Sequence, residues 1–311
     1  MSSATDRPVP VFDDSHYAAT PARKVRRALE LGPKYYLWDL PRYFAHRRSL
    51  RLPLWDWATL VNPLREFRPR ESDPEDLPPG YEEGLRRLAA AGIRLTIPRG
   101  RLEALLTVWW ATRSAAGDDI ECGSYRGATA LLLAWLGRHN RLERRVLMLD
   151  TFAGMPAPSA FDPARLAGEF QPPADQAAAI RQQAEALGLA GRVEVHAGLF
   201  ADTFARLAAR RPRFAFAHID ANIYSGTLDA CAFVLPRAAP GGAVVFDDYN
   251  GVCDLGARLA IDQALRGTGL RPRPLTASSA WVRVPAGRRP GPPARPVAES
   301  PDLSGRARAK S

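Results

Sequence analysis

Cysteine is scarce. Cys122, Cys231 and Cys253 are widely spaced, odd in number and form no C-x-x-C pair. That excludes a disulfide framework, and buried thiols in a reducing, cytoplasmic setting are the expectation. Long apolar runs are missing too: nothing approaches the roughly 20 residues of a membrane span. The opening MSSATDRPVPVFDDSH lacks a basic stretch followed by an apolar one, so no signal peptide is expected. The main body lacks net charge. Residues 71–286 carry 24 Lys and Arg against 24 Asp and Glu, which argues against a nucleic-acid groove across them.

The excess charge of +10 therefore lies in the extensions. Residues 24–70 hold eleven basic side chains against four acidic ones, so weak attraction to an anionic surface belongs there. The segment also interleaves Arg with Tyr35, Tyr36, Trp38, Trp55 and Trp57, and prolines at 33, 41 and 53 cut it into short helical pieces. A helical subdomain packed on the core or on a second subunit is the first reading, and weak peripheral membrane contact the second. The expected organisation is a disordered 1–20, a helical extension with a Pro-rich linker over 21–94, a catalytic domain over 95–286 and a disordered basic tail over 287–311.

Within the main domain strands alternate with helices. Strands are expected at 118–122, 144–150, 192–198, 213–220, 241–248 and 279–285, with helices between them. That spacing predicts an α/β fold with a doubly wound, mostly parallel sheet. Ligands of such sheets bind at the carboxyl ends of the strands, near the topological switch. The residues that follow each strand are therefore the informative ones.

After the first strand comes ECGSYRG, in which Gly123 and Gly127 flank a tight turn into a helix. It is not G-x-G-x-x-G, so a nicotinamide oxidoreductase is disfavoured. Glu121, two residues before the first Gly, suits a ligand with an ammonium group. After the second strand, Asp150 stands where a carboxylate can hold both ribose hydroxyls; the bland alternative is an Asp that caps the next turn. After the fourth comes Asp220, and after the fifth come Asp247 and Asp248. If those two strands are neighbours, three carboxylates meet, and an all-oxygen set without His or Cys favours a hard cation, Mg²⁺ first. Solvated loop charges are the alternative.

The blocks DDIECGSYRGATALLLA, LDTFAGMP, HIDANIYSGTLDA and LPRAAPGGAVVFDDYNGVCDLGARLAIDQ occur in that order and resemble the macrocin O-methyltransferase family. The resemblance covers about 95–285. It implies a Rossmann-like class I methyltransferase that uses S-adenosylmethionine and Mg²⁺ to methylate a sugar or other diol-bearing small molecule in natural-product or glycan biosynthesis. Carried over, it puts Glu121, Cys122, Gly123, Ser124, Tyr125 and Gly127 on the cofactor turn. Asp150, Thr151, Phe152 and Gly154 fall on the ribose and adenosine segment, and Gly198 and Phe200 on the loop beside the adenine. Asp220, Asp247 and Asp248 become the metal ligands, and self-association is favoured. The family's proposed His base lies in the insert after the second strand, yet residues 156–175 contain no His. That leaves Asp220, His218, metal-bound solvent or Glu169 to take the proton, with His218 equally readable as a core histidine. Asn222 stands where a second acidic residue is usual. An oxygenation enzyme of the same fold, or a non-catalytic scaffold that binds membranes or partners through its ends, are the competing readings.

Overall fold

The computed structural model describes residues 76–287 except 164–165, 251–254 and 277, together with 11–12 and six positions between 37 and 48. The expectations for most of 1–75 and for the tail beyond 287 lie outside the described residues; within the segment expected to be disordered, Val11 O accepts from Leu95 N at 2.8 Å and Phe12 packs against the core. Two helices lead in: α1 (Tyr81–Ala90) and α2 (Arg99–Ala111). Strands and helices then alternate as β1 (Asp118–Cys122), α3 (Ala128–His139), β2 (Val146–Asp150), α4 (Gln176–Ala186), β3 (Val193–Ala197), α5 (Phe200–Ala208), β4 (Phe214–Ile219), α6 (Tyr224–Val234), β5 (Ala238–Phe246) and α7 (Leu255–Leu265). Two short strands close the sheet, β6 (Arg273–Pro274) and β7 (Ala280–Arg283). The sequence reading missed β6, because two residues carry no periodic signal.

The sheet has seven strands in the order β3-β2-β1-β4-β5-β7-β6. β1 to β5 run parallel, while β7 is antiparallel to β5 and to β6. The order reverses between β1 and β4, so the ends of those two strands mark the switch point. Side-chain alternation divides the core into two layers. Val146 and Met148 of β2 pack with α1, α2 and α3 on one face; Leu147 and Leu149 pack with α5 and α6 on the other. Helix α3 is apolar around most of its circumference because it lies between the sheet and α1. Tyr81, Leu85 and Leu88 of α1 belong to that same layer. Among the described residues no helix is long and apolar enough to cross a membrane.

Away from the switch point, the sheet is tied to α2 by a buried polar network. Trp109 Nε1 donates to Asp119 Oδ2 at 2.7 Å, and Arg144 Nη1 reaches Asp119 Oδ1 at 3.3 Å. Arg144 also donates to the carbonyls of Thr112 and Ala115, which satisfies the chain after α2. Burial pushes the Asp119 carboxyl up to about 6, against the pull of Arg144. A carboxyl raised this way binds its proton more tightly folded than unfolded. Its contribution is therefore complete below the ordinary value near 4 and is lost as pH rises through 6. We expect wild-type stability, measured by urea unfolding relative to Asp119→Asn, to fall by about 2 kcal/mol between pH 4 and 7. A flat difference would show that the carboxyl is not raised.

Candidate active site

β4 and β5 are in register, with Ile219 opposite Phe246. Asp220 and Asp247 follow those residues directly, so the two carboxylates start side by side. Each strand end is fixed by a backbone bond: Asp220 N donates to Cys122 O at 2.8 Å, and Asp247 N to Ile219 O at 2.9 Å. Asp248 completes the set. One carboxylate oxygen from each of Asp220, Asp247 and Asp248 lies within 4.8 Å of the others.

Three carboxylates this close need compensation. Arg101 of α2 donates from Nη1 to Asp247 Oδ2 at 2.6 Å. His218 lies 3.8 Å from Asp247 Oδ1 through Nε2, an ion-pair rather than a hydrogen-bond distance, and its Nδ1 is 3.0 Å from Glu121 Oε1. Glu121 and His218 face each other across β1 and β4 and are both buried. Burial alone would lower the His218 value, but Asp247 and Glu121 outweigh it and raise it to about 10. Burial also works against ionised Asp247, yet Arg101 and then His218 bring it down to about 2. Asp220 moves the other way, up to about 7, from burial and from the adjacent Asp247. Asn222, in the left-handed region at φ 58°, serves two members: its N–H donates to Asp248 Oδ2 at 2.9 Å and its Nδ2 to Asp220 Oδ1 at 3.2 Å.

The cluster forms one end of a cavity of about 380 Å³ at the switch point. Of the residues expected around a cofactor, Glu121, Gly123, Ser124, Tyr125, Asp150, Thr151, Gly154 and Phe200 line it, together with Asp220, His218, Asp247 and Asp248. Asp150 organises its neighbours: Oδ2 accepts from Tyr125 N and Oδ1 from Phe152 N, both at 2.8 Å. Both donors have positive φ, 46° and 51°, so the carboxylate holds two strained turns at once.

Four expected residues do not line the cavity. Cys122 alternates with Glu121 along β1 and is buried in the opposite layer beside Cys231. Gly127 precedes α3 at φ 77°, and Ile180 of α4 occupies the space a side chain would need. Phe152 packs against the first core layer. Gly198 continues β3 past its last paired residue, with its N–H bonded to Asp150 O at 3.0 Å. Glu169 does not line it either; its carbonyl accepts from Met155 N, while the adjacent Phe170 faces the cavity. His218 is the one described histidine that does, since His139 stacks on Trp135 and His196 lies near Glu194 on β3. The sequence reading missed Arg101, separated from Asp247 by 146 positions inside an ordinary helical run. It also missed the wall formed by Thr96, Ile97, Met155, Pro156, Ser225 and Asp229.

A family model described as macrocin-O-methyltransferase (TylF) matches residues 97–270. The chain is 34% identical over 189 residues to the 8-demethyl-8-(2,3-dimethoxy-alpha-L-rhamnosyl)-tetracenomycin-C 4'-O-methyltransferase of Streptomyces olivaceus, which covers 55% of this chain and 70% of that protein. Among solved structures, the O-methyltransferase NovP superposes with a TM-score of 0.51 at 21% identity, over 60% of this chain and 79% of that one. The calicheamicin methyltransferase CalS11 gives 0.52 at 18% identity, over 91% and 99%. At these identities the structural likeness speaks for the fold alone.

Gly123 is the tightest point of the site. Its φ is 94°, and a Cβ there would stand 1.8 Å from the carbonyl oxygen of Asp220. Gly123→Ala must part β1 from β4 or twist the turn, so we expect a loss of at least about 3 kcal/mol in urea unfolding. A loss under about 1 kcal/mol would mean that the strand ends are free to separate.

Proposed function

This chain belongs to the macrocin O-methyltransferase family, and we propose that it moves a methyl group from S-adenosylmethionine to a hydroxyl of a glycosyl or similar diol-bearing small molecule, with Mg²⁺ at the carboxylate cluster. The observation that carries this reading is one cavity lined both by the Gly123 turn and Asp150 and by the three carboxylates Asp220, Asp247 and Asp248. The relative from Streptomyces olivaceus carries a rhamnosyl acceptor in its name, which supports a sugar hydroxyl here.

The residues fit both groups. Glu121 Oε2 is buried without a hydrogen-bond partner, which suits the ammonium of a methionine moiety. Ala128 and Thr129, the first residues of α3, bring the helix N-terminus to the cavity wall, which suits the moiety's carboxylate. Asp150 retains lone pairs for ribose hydroxyls beyond the two backbone donors it holds. For the cation, the donors are all oxygen, and Asp247 Oδ1 is buried with no hydrogen bond. Asp220, Asp247 and Asp248 bring one carboxylate oxygen each to within 4.8 Å of the others, a concentration of negative charge that suits a divalent ion.

In the reaction an oxygen–methyl bond forms as the sulfur–methyl bond breaks, leaving a neutral thioether, and the hydroxyl loses its proton. Mg²⁺ bound at the cluster would supply the Lewis acidity that eases this loss. His218, held cationic between Glu121 and Asp247, keeps its proton and fixes both carboxylates. Burial and the adjacent Asp247 raise the Asp220 carboxyl to about 7 without a cation; beside a bound divalent ion its ionised form would be favoured, and the released proton would pass to that carboxylate or to solvent. Catalysis then rests mainly on alignment of the two substrates and on compensation of charge.

Calorimetric titration tests the reading. S-adenosylhomocysteine should bind wild type and Asp248→Ala alike, Mg²⁺ should bind wild type only, and Glu121→Gln should weaken the nucleoside roughly tenfold through the lost charge on the ammonium. Absence of nucleoside binding in wild type would sink the methyltransferase assignment. Mg²⁺ binding that survives Asp248→Ala would remove the metal from this cluster.

A further inference from the structure

The segment after β2 runs from the cavity wall to the start of α6. Its first part forms cavity wall through Thr151, Gly154, Met155 and Pro156. A few residues later, Asp162 is buried. Its Oδ1 accepts from Tyr224 N at 2.8 Å, the first amide of α6. Its Oδ2 accepts from Ser159 N at 2.8 Å and from Ser159 Oγ at 2.6 Å. The residue preceding α6, Ile223, provides no side-chain cap, so the helix takes its capping carboxylate from another part of the chain. Phe161 reinforces the contact, with its ring centroid 4.5 Å from that of Tyr224. Gly256 of α7 completes the socket: a Cβ there would lie 1.8 Å from Asp162 Oδ1.

The partner amide is well placed to matter. Tyr224 directly follows the loop of Asp220, Ala221, Asn222 and Ile223, all on the cavity wall. Asn222 of that loop holds Asp220 and Asp248. A carboxylate distant from the reacting atoms thus fastens the β2 side of the cavity to the β4 side.

We infer that Asp162 is a positioning residue, a latch that pins the segment 151–162 to the start of α6 and so holds the nucleoside side of the cavity in its binding form. This rests on the reading of the cavity as an S-adenosylmethionine site. Without the latch, Thr151 to Pro156 keep Asp150, the core contact of Phe152 and the bonds of Met155 to Gly168 and Glu169, but lose their tie to α6, so the cavity wall loosens and must be ordered again each time the cofactor binds.

Three variants test this. Asp162→Ala removes the carboxylate. Ser159→Ala removes one of its three donors and leaves the bond to Tyr224. Gly256→Ala leaves Asp162 in place but fills its socket. In the unliganded protein, amide hydrogen exchange of residues 151–156 should rise about tenfold in Asp162→Ala and Gly256→Ala, and less in Ser159→Ala, while β1 and β4 keep their protection. S-adenosylhomocysteine should bind those first two variants about tenfold more weakly, with KM for S-adenosylmethionine raised and kcat nearly unchanged. The double variant should be no worse than either single one, because both act on one contact. Unchanged exchange at 151–156 in Asp162→Ala would overturn the latch, as would additive effects in the double variant. If Asp162→Ala fails to fold, Ser159→Ala and Gly256→Ala decide by the same exchange. Wild type that does not bind S-adenosylhomocysteine would sink the assigned cofactor, and the exchange in unliganded protein would still decide for or against the latch.

Discussion

Crowded negative charge at the ends of β4 and β5 is the constraint that the site is built around. Parallel pairing in register forces Asp220 and Asp247 together, and Asp248 follows in the chain. Left alone, such a group would protonate or push the strands apart. The fold answers with one cation from α2, one histidine from β4 and two hydrogen bonds from Asn222. These partners come from separate parts of the chain, so the site exists only when α2, β1, β4 and β5 are all in place.

Carboxylates recur at this sheet end with different duties. Asp150 holds two left-handed turns, Asp248 accepts from a third such residue, and Asp162 caps a helix from outside it. Each accepts backbone N–H groups that irregular loops would otherwise leave unpaired. The acidic side chains at this sheet end thus shape the loops around them. The opposite end of the sheet uses buried charge differently: Asp119 and Arg144 are enclosed with Trp109 and only join α2 to the sheet.

Much of this was legible in advance. The alternation of strands and helices is a local feature that points to a parallel sheet, and the acidic residues that follow three strands are equally local. Strand alternation would also have separated Glu121 from Cys122, since successive side chains of β1 face opposite layers. Family resemblance alone had grouped them. Gly127 was likewise assigned to ligand binding, whereas the packing of Ile180 against it accounts for the glycine. The Ser159–Asp162 spacing marks a turn, but nothing local says that the carboxylate also reaches α6.

The sequence by itself determined which residues could do chemistry and at which strand ends they would stand, because periodicity and turn composition act over a few residues. The tertiary structure decided which of them meet. Arg101 finds Asp247, Glu121 finds His218 and Asp162 finds Tyr224 across long stretches of chain. Those pairings depend on strand order and register, which are set by the burial of two apolar layers over the whole domain and not by any neighbour in sequence.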